Sequence, residues 1–300
     1  VDRATKVYRI SKRLFVLPVS QTFKSCLAAT VMAPLAVWGS LLNGRVPTKD
    51  ENSRFLSMVL TAVRHTASYQ SGGGSTCLRQ CLLAGHTSDL RFYAAQRLLA
   101  ALHKWRSPRN VDLSQKRTPM LLALSKCLSS LNCTMTHPGS WSHSQGNWDT
   151  TAPLGFSGRL AHCFRQHWRL EKIKSWLYSQ RRDAQLAQQQ GLRPTLTLVD
   201  GLRRDAKTLD AWELGVACGG LHSEAQCDEA CRPTQCPHCF RNECPSTFHI
   251  LWTCPRWTHL RVRTQPRNNP FLARMGWDQN GINKRLIRQF GAIRREHAAA

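Results

Sequence analysis

Cys236, Cys239, His249 and Cys254 are spaced as two short ligand pairs with nine residues between them. The Cys-x2-Cys pair can form a knuckle turn in which both thiolates face one point. His249-x4-Cys254 places the second pair about one helical turn apart, so the two pairs can close a tetrahedron. Thiolate sulfur and imidazole nitrogen suit zinc, and four protein ligands leave no open position for chemistry. The expected role is therefore structural. A segment this short cannot build its own apolar core, so its folding should depend on the metal.

Neighbouring groups compete for the same role. His238 sits inside the knuckle turn and Cys244 interrupts the loop between the pairs. Upstream, Cys218-x3-His222 and Cys227-x3-Cys231 could hold a second metal, although the looser spacing fits buried reduced cysteines better. Of the 13 cysteines, six are scattered from Cys26 to Cys163 and seven lie between Cys218 and Cys254. An odd count with a local cluster reads as metal ligation in a reducing compartment, nuclear or cytoplasmic and not secreted.

Charge constrains the partner. Lys and Arg number 42 against 18 Asp and Glu, a formal net charge of +24. Self-repulsion of that size destabilises a compact chain unless an anionic partner neutralises it. Nucleic acid is the commonest such partner, and an anionic membrane surface is the second choice. The uncharged run from Cys26 to Leu42 mimics a signal-peptide core. It is interrupted by Pro34 and falls short of the roughly 20 residues that span a bilayer, so a buried helix pair is expected and no membrane partner. The chain starts at Val1 and stops at Ala300 without punctuation, which reads as a piece of something longer.

Periodicity predicts a mainly α fold: bundle-like helical segments, then a small Cys-Cys-His-Cys zinc knuckle and a basic carboxy-terminal helix. Val7, Ile10, Leu14 and Leu17 share one face of a helix over 3–17, with Lys6, Arg9 and Arg13 outside it. A second helix over 20–33 should kink or end at Pro34. Further helices are expected over 49–69, 89–105 and 113–131, and Gly72-Gly73-Gly74 marks a turn or linker. The stretch 137–158 shows no period and reads as a long loop at a domain boundary. One long helix should follow over 159–190, with Arg165, Arg169, Lys172, Arg182 and Trp176 on one face. That stripe could contact phosphates and a base, or be a solvated face whose Trp packs on a neighbour. Thr195–Val199 is one of few strand-like runs. A closing helix over 281–297 turns Ile282, Leu286, Phe290 and Ile293 inward and Lys284, Arg288 and Arg295 outward. The resulting segments are a helical region over 1–70, a helical connector over 71–136, the linker over 137–158, the basic helix over 159–200, the metal module over 201–262 and a basic tail over 263–300.

The run CPHCFRNECPSTFHILWTCPRW, from Cys236 to Trp257, resembles the zinc-binding region that follows the polymerase domain in non-LTR retrotransposon reverse transcriptases. Thr247-Phe248-His249 and Cys254-Pro255 occupy the corresponding places. The lead-in Leu209–Leu221, with Trp212 and Gly219-Gly220, is similar to the helical approach to that knuckle. Ala33 to Gly39 resembles a short Pro-containing thumb segment ending in an aromatic-Gly pair. The resemblance implies a thumb-like region over 1–70 and a carboxy-terminal portion that grips template RNA or target DNA. It implies phosphate contacts at Arg165, Arg169, Lys172, Arg256, Arg261 and Arg263, with Trp176 or Trp257 stacking. The chain departs from the family in having no Asp-Asp pair to hold catalytic cations, so it is expected not to polymerise by itself. A self-standing zinc-dependent nucleic-acid-binding or scaffold protein, or an inactive relic, would show the same knuckle and charge.

Overall fold

The computed structural model describes residues 3–37, 44–63, 75–106, 119–137, 140–143, 146–149, 158–189, 191–206, 208–209, 213–214, 217–218, 235–243, 249, 253–261, 276–278 and 281–299. Most of these are helical, as the periodicity requires. The chain forms two compact units, each assembled from two stretches: 1–64 with 83–172, and 65–82 with 173–300.

In the first unit, helix α1 (Arg3–Val16) buries Val7, Ser11 and Leu14 and packs on α4 (Lys49–Val63). A reciprocal capping box starts α4: Glu51 N–H donates to Thr48 Oγ1 at 3.1 Å, and Thr48 N–H to the Glu51 carboxylate at 2.9 Å. The helix expected to kink or end at Pro34 does not end there. Helix α2 (Gln21–Leu27) widens into a π turn (Ala28–Met32) and resumes as α3 (Ala33–Val37), with the Ala33 N–H reaching back to Ala28 O. The wider turn makes room for a proline ring that cannot donate, so the helix absorbs Pro34 instead of breaking there.

Helices α6 (Leu90–Arg106), α7 (Pro119–Ser129) and the first part of α8 (Gly158–Leu177) hold the main core of this unit. Phe92, Leu99, Leu124, Leu128, Trp141, Phe164 and Trp168 are among its buried members. The stretch 137–158, expected to be a loop, carries instead β2 (Ser140–His143) and β3 (Gly146–Asp149), which join β1 (Thr134–His137) in a three-stranded antiparallel meander. Trp141 pairs with Trp148 across β2 and β3 and faces inward, where its ring meets Phe164 at 5.6 Å. The strands are short and their outer positions are Ser and Asn, which left too little alternation for the sequence to show.

In the second unit, which also holds the short α5 (Thr76–Arg79), the long basic helix divides. The chain leaves helical geometry after Leu177, resumes as α9 (Arg182–Gln189), and stops at Gly191, whose φ of 80° is open to glycine. Thr195–Val199 is not a strand. Thr195 Oγ1 accepts from Leu198 N–H at 3.1 Å and so caps α10 (Leu196–Ala206), which buries Leu198, Val199 and Leu202. Trp277–Asp278 (β4) pairs with Gly281–Ile282 (β5), so the closing helix begins later than expected. Asn283 caps that helix, α11 (Lys284–Ala299), through Arg285 and Leu286 N–H. No helix among the described residues is long and apolar enough to cross a membrane.

Candidate metal centre

The Cys236–Cys239 turn is closed by its own backbone. Phe240 N–H donates to Cys236 O at 2.9 Å, and Cys236 N–H to Arg241 O at 3.0 Å. Phe240 supplies the left-handed residue that such a turn needs, with φ at 57°. On the other side, Cys254 N–H donates to His249 O at 2.6 Å, a bond across five residues that draws the second pair together. The ligand atoms of Cys236, Cys239, His249 and Cys254 then lie within 4.8 Å of one another. Among the described residues these three cysteines and one histidine form a group able to hold a metal ion. Cys236, His249 and Cys254 are buried and Cys239 is half-buried.

The imidazole is oriented from behind. His249 Nε2 sits 3.3 Å from Cys239 Sγ, while Nδ1 faces Glu243 Oε2 at 2.5 Å and Thr253 Oγ1 at 3.0 Å. An ionised carboxylate only accepts, so the ring proton belongs on Nδ1 and the Nε2 lone pair is directed among the sulfurs. Sequence reasoning missed Glu243. Its signal was an acidic residue in the loop between the ligand pairs.

The Cys239 and Cys254 thiols differ from one another. Burial, helped by Cys236 and Cys239, pushes the Cys254 thiol up to about 12 against the opposing N–H of Arg256. At Cys239 burial also acts upward. Hydrogen bonds from the Arg241 N–H and from Cys236 and Cys254 outweigh it, so this thiol lies below its ordinary value. A soft cation bound here would therefore displace protons, and its affinity should fall with falling pH.

Of the alternative ligands, His238 and Cys218 stay outside this group. The His238 ring lies 5.6 Å from Trp257. Cys218 is fully buried, and burial raises its thiol to about 12, as expected of a structural cysteine. His222, Cys227, Cys231 and Cys244 lie outside the described residues.

The expected nucleic-acid contacts are rearranged by packing. Lys172 Nζ is 2.7 Å from Asp89 Oδ2 and lies over the Trp168 ring at 5.6 Å, so its charge serves a buried pair. Arg165 Nε donates to Ala161 O at 2.9 Å, along its own helix. Arg169 is half-buried. Arg261 donates to Cys254 O at 2.5 Å and so braces the metal centre. Trp176 and Trp257 are each 1% exposed, the first packed on Trp277 at 5.7 Å, and neither turns a face to solvent for a base. Arg256 is exposed, with its guanidinium 5.9 Å from the Trp257 ring. Arg263 lies outside the described residues. Among the described residues of the knuckle, the aromatic that faces solvent is Phe240, 75% exposed beside the exposed Arg241. No family model, curated protein or solved structure matches this chain.

Proposed function

We propose that Cys236, Cys239, His249 and Cys254 bind one structural zinc ion, and that the knuckle so formed helps a strongly basic protein to hold RNA or DNA. The convergence of the four ligand atoms, with Glu243 behind the imidazole, carries this reading. Sulfur and imidazole donors at this spacing select zinc over hard cations. The ion would fix the turn that carries Phe240 and Arg241, and the short 3-10 segment Pro255–Leu260 that carries Arg256. Exposed cations beside an outward ring suit a single strand, with phosphates on the guanidinium groups and a base on the phenyl face. The net charge of +24 supports an anionic partner of this kind.

In this reading the chain is the carboxy-terminal, nucleic-acid-gripping portion of a retrotransposon-type RNA-directed DNA polymerase. The motif from Cys236 to Trp257 supports it. Metal content of the purified chain tests the first claim: one zinc per chain is expected, and none after Cys236→Ser with Cys254→Ser. Binding to RNA and DNA oligonucleotides across a salt series tests the second. Affinity should fall steeply with salt. A zinc-loaded chain that binds neither nucleic acid would refute it.

A further inference from the structure

A second cationic surface is carried by α1 (Arg3–Val16) of the first unit. This helix carries five cations, Arg3, Lys6, Arg9, Lys12 and Arg13, and no acid. Its inner face is occupied by Val7, Ser11 and Leu14, which turns Lys6, Arg9, Lys12 and Arg13 together to the exposed side. Tyr8 stands at the edge of that face, 50% exposed, with the Lys12 ammonium 5.4 Å from its ring centroid.

This arrangement is unfavourable to the helix alone. Lys6–Arg9, Arg9–Lys12 and Arg9–Arg13 are like-charge pairs at three- or four-residue spacing, which repel. The first turn has cations where the helix dipole favours acids. The neighbouring α4 is built in the ordinary way, with Asp50 and Glu51 in its first turn. A helix that keeps four outward cations against these local costs is relieved by an anion that spans them. The face extends over about two turns, or roughly 10 Å, which matches a run of successive phosphates better than one isolated anion.

The geometry points to the outer face of α1 as a docking surface for the phosphodiester backbone of a nucleic acid, with Lys6, Arg9, Lys12 and Arg13 as its phosphate contacts and Tyr8 beside them. This rests on the reading of the protein as nucleic-acid-binding, and it places a binding face on the unit that does not contain the metal ligands.

The full zinc-loaded chain is compared with a variant carrying Lys6→Gln, Arg9→Gln, Lys12→Gln and Arg13→Gln, and with one that conserves charge by Lys6→Arg, Arg9→Lys, Lys12→Arg and Arg13→Lys. Affinity for a single-stranded RNA oligonucleotide is measured across salt. The neutral variant should bind at least about tenfold more weakly, with a salt slope reduced by about 2 to 3 at roughly 0.7 per phosphate. The charge-conserving variant should behave as the parent does. In the parent, bound RNA should shield Lys6 and Lys12 from an amine-acylating reagent, a readout that needs no substitution to fold. If the parent binds RNA while the neutral variant matches it in affinity and slope, the α1 surface is wrong and the broader reading stands. If the parent binds no nucleic acid, both fall. Phosphatidylserine vesicles captured through these four residues, with RNA affinity unchanged, would make the face a membrane contact and overturn the assignment.

Discussion

The helical core around α6, α7 and α8 and the segment around Cys236, Cys239, His249 and Cys254 differ in what they bury. The first buries large apolar side chains, Phe92, Leu99, Leu124, Leu128 and Trp168 among them, and needs nothing from outside the chain. At one place it also buries charge. Asp89 accepts from the Arg91 and Phe92 N–H groups, from Trp168 Nε1 at 3.1 Å, and from Lys172 at 2.7 Å, so one carboxylate caps α6 and ties it to α8. The segment over 235–261 shows few buried apolar side chains among its described residues, Trp257 the largest, and its Phe240 faces solvent. Its three Sγ atoms and one ring nitrogen lie within 4.8 Å of one another, where a cation would serve as the core. Apolar burial is distributed and tolerates single losses, whereas a four-ligand site depends on each of its donors.

Metal removal should separate the two regions most sharply. Apparent binding energies of structural zinc are on the order of 10 kcal/mol. Stripping the ion with a chelator should make Cys236, Cys239 and Cys254 reactive toward an alkylating reagent while Cys127 and Cys133 stay protected. Mass spectrometry of the labelled chain checks this, and labelling at all five sites would erase the distinction. Next in size is Lys172→Ala. It takes the cation from the Asp89 carboxylate, which keeps its three N–H donors, so the loss should be about 1.5–3 kcal/mol, as for a hydrogen bond to a charged group. Denaturant unfolding should show the loss with zinc content unchanged.

A third test uses alkaline pH. Burial pushes the Cys127 and Cys133 thiols from 9.0 up to about 12. The folded core thus keeps protons that the unfolded chain has already released, and its stability should decline as pH climbs from about 9 toward 12. Replacing both with Ala should flatten that part of the stability–pH curve. The smallest effect is expected at Glu243→Gln, which weakens the orientation of His249. Losing such an outer partner lowers metal affinity by roughly 10- to 100-fold. Competition with a chromophoric chelator reads it directly, and an unchanged affinity would remove Glu243 from the site.

How much was legible varied with the range of the interactions. The four ligands were readable because their spacing is local: a two-residue knuckle and a four-residue turn meet wherever the rest of the chain goes. Helices α1, α4, α6 and α7 were readable from periodic burial, since Val7 and Leu14, or Phe55 and Val59, mark one face within a few turns. The meander was not, because Trp141 and His143 point inward only against partners supplied from elsewhere in the unit. Thr195 was misread because TLTLV suits a strand by composition. What makes it helical is the hydroxyl cap and the burial of Leu198, Val199 and Leu202.

The sequence by itself determined the mainly helical class, the excess of positive charge and the identity of the ligand group, because these follow from side-chain chemistry and short spacing. Tertiary structure decided which charges and rings are available. It turned Trp176 and Trp257 inward and left Phe240 outside. It committed Lys172 to Asp89 and Arg261 to the Cys254 carbonyl, and it left the cations of α1 facing solvent. Helical periodicity assigns residues to a face, but a face becomes interior or surface only when another element covers it. That covering depends on contacts between residues far apart in the chain.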